Sequence, residues 1–321
     1  MTPPEIVPFS DDQLDQAAGL LAQRHQQHRA AEPLLPQRFE DAAAAREELE
    51  TAWHAEGASG AAAFRDRRVV GYLVGAPRDA EVWGENVWVE YAGHAVRQAE
   101  SIRDLYEHAA ARWVDEGRRR HYALVPAFNG ELVDAWFRLG FGQQQAHGVQ
   151  EVESRDVALP DGFEIRPPAA EDVEGLIAVD LALSNHQRRA PVFSDRPRPT
   201  VDEIRDEWAK TLGGTDEKIL IGLRGGQPVA CWGLAPAENS SHHTGLGRPE
   251  RACYLAFAVT LPEARGSGIG VALTDASFSW AADEGYDAMV TDWRVTNLLA
   301  SRFWPRRGFR TSFLRLYRSI P

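Results

Sequence analysis

Cysteine is scarce in this chain, and its scarcity excludes two classes of protein. Only Cys231 and Cys253 occur among the 321 residues, too few for a disulfide-stapled scaffold or for a zinc site built from thiolates. Both lie in apolar stretches, so we expect buried thiols and no bound metal. Lysine is equally rare, at Lys210 and Lys218 alone, which leaves arginine to supply nearly all of the positive charge.

Long apolar runs and a positive net charge are also missing. No run approaches the roughly 20 residues of a membrane-spanning helix, and residues 1–5 lack the charged and apolar segments of a signal peptide. The formal net charge is -12. A phosphate backbone attracts clustered basic charge, so nucleic acid is disfavoured as a partner, whereas a cationic substrate is mildly favoured. We therefore expect a cytoplasmic protein that binds neither membrane nor nucleic acid.

The most informative pattern that is present is an internal duplication. Glu-Ile-Val-Pro at 5–8 is echoed by Glu-Ile-Arg-Pro at 164–167, an offset of 164 − 5 = 159. Further along, Asp-Glu-Gly at 115–117 recurs at 283–285, an offset of 283 − 115 = 168. The second offset also relates Asn129 to Asn297, Trp136 to Trp304, and Gly140-Phe141 to Gly308-Phe309. The polar segment 236–250 explains the change of offset as an insertion in the second copy.

Each copy has the pattern of an α/β domain. In the second copy, apolar residues spaced by three and four predict a helix over 169–184. The elements predicted after it are strands at 219–223, 229–235 and 254–259, a helix at 268–284, a strand at 288–293, a helix at 298–304 and a strand at 313–317. The first copy runs in parallel, from 64–74 through 86–91 to a helix at 101–116. We predict tandem domains at 1–151 and 163–321 with a linker at 152–162.

A glycine-rich turn, Arg265-Gly266-Ser267-Gly268-Ile269-Gly270, separates the apolar strand at 254–259 from the following helix. Unpaired N–H groups in the first turn of a helix point at an anion, and the helix dipole adds a favourable field. Glycines let the backbone approach a phosphate without a Cβ in the way. The spacing matches neither a Rossmann fingerprint nor a P-loop, and an ordinary turn without any ligand is the alternative.

The segment from Val259 to Gly270 resembles the central motif of the GNAT superfamily of acyl-CoA-dependent N-acyltransferases. That family's pattern, Gln/Arg-x-x-Gly-x-Gly/Ala, is matched by Arg265, Gly268 and Gly270, with Pro262 upstream. The family's next motif is matched by Val295-Thr296-Asn297, Ala300, Phe303 and Gly308-Phe309. The resemblance is specific from about Tyr254 to Phe309, and it implies two tandem GNAT-like domains. Each would hold a twisted, mixed, mostly antiparallel sheet with helices on both faces.

The resemblance also implies a binding role for particular residues toward acetyl-CoA. Phe257, Ala258 and Val259 would offer backbone groups to the pantetheine arm, and Asn297 would hydrogen-bond its far end. Asn297 is equally suited to capping the helix that follows it, and both roles are compatible. The remaining positions implied to contact the cofactor are Arg265, Gly266, Ser267, Gly268, Ile269, Gly270, Val271, Ala300 and Trp304.

The first copy has lost the glycine turn. At the offset of 168, Arg265 corresponds to Arg97, but the three glycines correspond to Gln98, Glu100 and Ile102. Side chains would fill the place of the pyrophosphate, and the carboxylate of Glu100 would repel it. We therefore expect the first copy to be degenerate and not to bind acetyl-CoA in the usual way.

Two chemical groups expected of the family have no obvious counterpart. The family's general acid is a tyrosine seven residues after the asparagine, and Trp304 occupies that position; an indole N–H donates a hydrogen bond but does not protonate a thiolate. Either the thiolate leaves unaided, since thiol pKa values are roughly 8.5, or Tyr254 or Tyr317 acts as the acid, or the site binds acyl-CoA without turnover.

The general base is equally open. Asp292 and Glu250 are the candidate catalytic acids, and each is also explained as an ordinary salt-bridge or surface residue. His242-His243 in the inserted segment offers a further base or lines the substrate entrance. The sequence as a whole predicts an acetyl-CoA-dependent N-acetyltransferase that acts on a primary amine of a small molecule or protein through its C-terminal domain. The alternative is a non-catalytic acyl-CoA-binding or regulatory module.

Overall fold

A computed structural model of the chain describes residues 4–194, 198–214 and 217–321. The chain forms two compact units that are not continuous in sequence. The first comprises Met1–His147, Thr244–Glu250 and Thr311–Pro321, and the second comprises Gly148–His243 and Arg251–Arg310. Part of the segment interpreted as an insertion and the last strand of the chain thus belong to the first unit.

The first half of the chain alternates strands and helices. Its elements are β1 (Glu5–Pro8), α1 (Leu14–Ala31), α2 (Ala42–Trp53), β2 (Ser59–Arg65), β3 (Arg68–Gly75), α3 (Ala80–Trp83), β4 (Asn86–Val89), β5 (His94–Val96), α4 (Ser101–Asp115), β6 (Arg120–Pro126), α5 (Gly130–Arg138) and β7 (Gly142–Glu151). The second half repeats this order closely. Its elements are β8 (Phe163–Arg166), α6 (Val173–Gln187), α7 (Val201–Gly213), β9 (Lys218–Arg224), β10 (Gln227–Pro236), β11 (Ala252–Thr260), α8 (Ile269–Asp283), β12 (Ala288–Arg294), α9 (Leu298–Arg306) and β13 (Arg310–Ser319).

The elements predicted from the sequence are present, except that the segment predicted at 64–74 is divided between β2 and β3 by a turn at Asp66 and Arg67. The bounds of the elements follow the duplication. β2 and β9 share both ends at the offset of 159, whereas α4 and α8, β6 and β12, α5 and α9, and β7 and β13 do so at 168. Helix α7 was not predicted from the sequence pattern. It begins with a capping box in which the hydroxyl of Thr200 accepts from the Glu203 amide at 3.2 Å and the Glu203 carboxylate accepts from the Thr200 amide at 2.7 Å.

The strands form mixed, mostly antiparallel sheets. In the first unit, one sheet has the order β1-β2-β3-β5, and β4, β6 and β13 are neighbours in that order. In the second unit the order is β12-β11-β10-β9-β8, with antiparallel pairs except for the parallel pair of β11 and β12. The predicted α/β fold with a twisted, mixed sheet is confirmed.

Strand β11 changes partner along its length. Residues 252–254 pair with 288–290 of β12, whereas residues from Cys253 to Thr260 run along β10. Opposite Gly233 and Leu234 the register slips so that Ala256 becomes an extra, bulged residue. Beyond Tyr254, no strand of the described residues pairs with the edge of β11 that faced β12.

The core of the second unit lies between this sheet and the helices α6 and α7. Leu176, Ile204, Trp208, Cys231 and Val259 are buried together there. Cys231 and Cys253 are both free and buried, as predicted, and burial raises the pKa of Cys253 to about 12. Within the described ranges, the helices are all too short or too polar to cross a membrane.

Candidate functional site: a pocket at the start of helix α8

A pocket of about 450 Å³ opens in the second unit beside the glycine turn. Its walls are formed by the C-terminal half of α6, Trp232 of β10, the far part of β11, the turn before α8 with the first residues of that helix, and α9. Of the predicted binding residues, it is lined by Ala258, Val259, Arg265, Gly266, Gly268, Gly270, Val271, Asn297, Ala300 and Trp304. Phe257, Ser267 and Ile269 do not line it, and Ile269 is fully buried.

The glycine turn has the backbone conformation that its composition predicts. Gly266 and Gly268 have φ of 79° and 95°, a region that other residues rarely adopt. Gly268 is the N-cap of α8. Among the described residues, the amides of Gly268 and Gly270 have no hydrogen-bond partner, whereas Val271 and Ala272 donate to the Gly268 carbonyl at 3.0 Å. Two N–H groups at a helix start are thus open beside the pocket.

Arg265 contributes a fixed charge at the same edge of the pocket. Its Nε donates to the carbonyl of Thr260 at 3.1 Å, which ties the guanidinium to the end of β11. The side chain is exposed and lies in the pocket lining. The site therefore combines a cation, a helix N-terminus and a free strand edge, which together suit a phosphate joined to an extended polar arm.

Asn297 caps α9, and a histidine fixes its orientation. Its Oδ1 accepts from the amides of Leu299 at 3.2 Å and Ala300 at 3.4 Å, and the Nε2 of His186 lies 3.0 Å from the same oxygen. Because a backbone N–H needs an acceptor, Oδ1 must be the oxygen, so Nε2 of His186 is the donor. The capping alternative is confirmed, and Nδ2 of Asn297 is left as a donor within the pocket lining.

Trp304 is buried at the inner wall of the pocket, with 6% of its surface exposed. Its ring packs edge-on against Phe303, with centroids 4.9 Å apart, and against Phe309, with centroids 5.5 Å apart. This packing holds the indole in one orientation. The position of the family's general acid is thus filled by an aromatic wall that does not supply a proton.

Asp292 belongs to a cluster of polar side chains that lie up to 50 positions apart in the sequence. The hydroxyl of Tyr254, on β11, donates to Oδ1 of Asp292, on β12, at 2.9 Å. Nδ1 of His242 and Nε2 of His243 lie 3.8 and 4.0 Å from the same oxygen, and the His243 ring packs on Tyr254 with centroids 5.3 Å apart. The Asp292 side chain is 8% exposed.

The electrostatics of this cluster keep His243 neutral. Burial lowers the pKa of His243 to about 4, although the charge of Asp292 acts in the opposite direction. At neutral pH, His243 is therefore a neutral neighbour of Asp292, with its Nε2 4.0 Å from Oδ1 of the carboxylate, and not a cation. Tyr254 lies at the point where β11 parts from β12, so the cluster lies at the inner end of the free strand edge.

Two other predicted candidates lie elsewhere in the fold. Glu250 is exposed and belongs, with residues 244–250, to the first unit. Tyr317 lies on β13 and packs against Tyr122 with ring centroids 5.0 Å apart, which supports the packing interpretation of that residue.

Sequence reasoning missed several residues of the pocket. These are Ala182, Leu183, His186, Trp232, Thr260, Ala264, Leu299 and Phe303. The α6 residues among them carried no local signal, because a histidine near the end of a helix is unremarkable until the tertiary fold brings it to Asn297. Trp232 gave no functional signal in the sequence, because a large aromatic residue in an apolar strand ordinarily packs in the core.

Comparison with known proteins agrees with this geometry. Residues 181–309 match the acetyltransferase (GNAT) family. No curated protein matches the sequence. Among solved structures, the fold is similar to a GCN5-related N-acetyltransferase from Sphaerobacter thermophilus, with a TM-score of 0.58 and 14% identity, over 99% of this chain and 97% of that one.

A second similar structure is a tandem GNAT protein from the clavulanic acid biosynthesis pathway, with a TM-score of 0.50 and 16% identity. It covers 98% of each chain. At such identities the likeness concerns the fold, and it extends over both halves of the sequence. Residues 181–309 of the C-terminal half thus match the acetyltransferase (GNAT) family, within a fold that is similar over the whole length of the chain to that of a tandem GNAT protein.

Proposed function

We propose that the second unit transfers an acetyl group from acetyl-CoA to a primary amine of a small molecule or a protein. The proposal is carried by the open amides of Gly268 and Gly270 at the start of α8, beside the pocket. These amides and Arg265 would hold the pyrophosphate. The domain boundaries 1–151 and 163–321 are part of the proposal as limits of the duplicated copies, and the matching element bounds support them.

The pantetheine arm would lie along the free edge of β11. There one of the two consecutive residues Ala258 and Val259 directs its main-chain N–H and C=O groups away from β10, because successive residues of an antiparallel strand alternate between its two edges. An extended chain would therefore add to this edge as a strand does. Nδ2 of Asn297 would donate to a carbonyl of that arm, with His186 holding the amide in place. Trp304 would close the pocket against water at the thioester end.

The reaction needs a base for the amine, and Asp292 is our candidate. The attacking amine forms a C–N bond to the acetyl carbonyl carbon and loses a proton, the C–S bond breaks, and the sulfur leaves as a thiolate. Asp292 would accept the proton, directly or through water. The hydroxyl of Tyr254 orients its carboxylate by a hydrogen bond, and His243 beside it stays neutral. Because thiol pKa values are roughly 8.5, no acid at position 304 is required.

Glu250 is the second candidate base. Its exposure and its membership of the first unit argue for a surface role, whereas Asp292 has the partners that hold a catalytic carboxylate in one orientation. We therefore prefer Asp292 for the proton transfer.

Calorimetric titration with acetyl-CoA tests the binding site. Gly268 and Gly266 are poor targets, since any side chain is strained at their φ. A Cβ at Gly270 would lie 3.4 Å from Cη2 of Trp232, an ordinary contact, and an Asp in a first helical turn is compatible with the helix dipole. Gly270→Asp should weaken binding by roughly a hundredfold or more, because its charge faces the pyrophosphate, without lowering the Tm.

Gly270→Ala is the matched control, because it adds the Cβ without the charge. It should retain most of the affinity and the wild-type Tm. Equal affinities for the Asp and Ala variants would show that the turn does not hold the pyrophosphate.

A second candidate function is a non-catalytic acyl-CoA-binding module, which is favoured by Trp304 at the position of the missing acid. Thiol release measured over a panel of small amines and peptide N-termini separates the two. Tight binding of acetyl-CoA without thiol release above the rate of spontaneous hydrolysis would support the binding module.

A further inference from the structure

The first unit contains a cavity of about 840 Å³ that plays no part in the proposed acetyl transfer. Its walls are α1, the turn before α4, and the start of α5. At the duplication offsets these segments correspond to the walls of the second unit's pocket. The equivalent pairs include Arg24 and Leu183, Gln27 and His186, Glu100 and Gly268, and Asn129 and Asn297. The first copy has therefore kept a cavity where it lost the glycine turn.

The wall of this cavity is polar. Gln23, Gln27 and Gln98 contribute side-chain amides, and charged residues of both signs lie among them. Arg24, Arg97 and Arg138 are balanced by Glu100, Glu131 and Asp134. A pyrophosphate carries several negative charges, so a wall with no excess of positive charge does not suit it. The ligand that fits is small and polar, with at most a single charge.

Arg24 differs from the other charged residues of the wall, which are exposed, because only 7% of its surface is exposed. Its Nη1 donates to the carbonyl of His94, and its Nη2 donates to the carbonyl of Tyr91 at 2.6 Å. Its Nε is buried without a hydrogen-bond partner in the described part of the chain. Over the same residues, no carboxylate lies within ion-pair distance of its guanidinium.

Two of the three carboxylates of the wall, those of Glu100 and Asp134, are already engaged with other arginines. Glu100 pairs with Arg103 at 2.6 Å and with Arg138 at 2.9 Å, and Asp134 pairs with Arg138 at 2.9 Å. Burial lowers the pKa of Arg24 to about 10, so the side chain remains a cation at neutral pH. A buried cation without a counter-ion lowers the stability of the folded protein. Where such a cation lines a cavity, an anionic ligand can neutralise its charge.

We propose that this cavity binds a small monocarboxylate with further hydrogen-bonding groups, its carboxylate paired with the guanidinium of Arg24. Arg24 lines the cavity, and a planar guanidinium suits a planar carboxylate. The side-chain amides of Gln23 and Gln27 would take up hydroxyl or amino groups of the ligand. This site is independent of acetyl transfer in the second unit.

Binding is tested on the full chain with lactate and alanine as probes, beside inorganic phosphate and sodium chloride at matched ionic strength. Lactate or alanine should raise the Tm above the chloride control in a concentration-dependent manner, and calorimetry gives the Kd. Binding should persist in saturating acetyl-CoA, since the two sites are separate. Competition by acetyl-CoA would place the carboxylate in the other pocket and overturn the proposal.

Variants on one exposed face of α1 locate the site. Gln27→Glu adds a negative charge to the cavity wall and should weaken carboxylate binding roughly tenfold or more. Gln26→Glu adds the same charge to the same helix outside the wall and should leave the Kd unchanged. Arg24→Met should abolish binding. Because that variant also removes partners from two buried carbonyls, the glutamine pair provides the decisive comparison if it does not fold.

Besides competition by acetyl-CoA, three further outcomes overturn the proposal. In the first, neither carboxylate shifts the Tm beyond sodium chloride. In the second, phosphate binds more tightly than both carboxylates. In the third, Gln27→Glu and Gln26→Glu bind the probe equally well. None of these outcomes bears on acetyl-CoA binding, which is measured separately through Gly270.

Discussion

The pocket of the second unit and the cavity of the first derive from equivalent segments of a duplicated sequence, yet they offer a ligand different surfaces. In the second unit, glycines expose two main-chain amides and the wall includes Trp232 and Trp304. In the first, Gln98 and Glu100 replace glycines and a buried Arg24 replaces Leu183. A fold can thus keep a cavity after the residues of its wall have changed, because the helices that form the walls are held by the core.

The same divergence extends to the reacting groups. Asp292 corresponds to the buried Leu124 at the offset of 168, and Tyr254 corresponds to Asn86. Asn86 is used locally, since its Nδ2 donates to the carbonyls of Arg78 and Gly84. The first copy therefore has neither an aspartate nor a tyrosine at these two positions, which agrees with our proposal that acetyl transfer takes place in the second unit.

A lower pH should produce the largest difference in stability between the two units. Burial lowers the pKa of His25 and His121 to about 4 and of His28 and His94 to about 3, whereas the second unit has His243 at about 4. An unfolded imidazole takes up its proton near pH 6.5, so stability falls as the pH drops below about 6.5 toward these folded-state values. At pH 5, each buried histidine costs about 2 kcal/mol at most.

Hydrogen exchange followed by mass spectrometry, corrected for the intrinsic pH dependence, should show first-unit peptides losing protection before second-unit peptides between pH 7 and 5. His28→Leu should flatten the pH dependence of unfolding, whereas His54→Leu, at an exposed position, should not. Equal loss of protection in both units would contradict this prediction.

Asp292→Asn removes the proposed base, and the pocket of the second unit should still bind acetyl-CoA. We expect kcat to fall roughly a hundredfold, the usual scale for loss of a general base, with the Kd for acetyl-CoA unchanged. The pH profile should lose the limb that reports the base. Glu250→Gln is the control and should retain activity. If Glu250→Gln abolishes turnover and Asp292→Asn does not, the two candidates exchange roles.

His186→Ala should have a smaller effect, confined to binding. Loss of its hydrogen bond frees the amide of Asn297, so the KM for acetyl-CoA should rise roughly tenfold with kcat little changed. His186→Gln, which retains a donor and copies Gln27 of the first unit, should restore part of the affinity. A fall in kcat without a change in KM would instead assign His186 to the chemical step.

The sequence by itself determined the duplication, the α/β elements and the glycine turn. These depend on local rules: apolar periodicity, turn composition, and the need for glycine at φ of 79° and 95° in Gly266 and Gly268. Such rules act within a few residues along the chain, so a reader of the sequence has all the information that they require. The capping role of Asn297 was accessible for the same reason.

Tertiary structure alone decided which distant side chains meet. Asp292 gained Tyr254 and His243 as neighbours only when β11 lay beside β12, and His186 reached Asn297 across 111 positions. The buried cation of Arg24 was also invisible, because an arginine in an amphipathic helix is ordinarily solvated. Long-range contacts of this kind depend on how helices pack on a sheet, and the spacing of residues along one segment does not encode that packing.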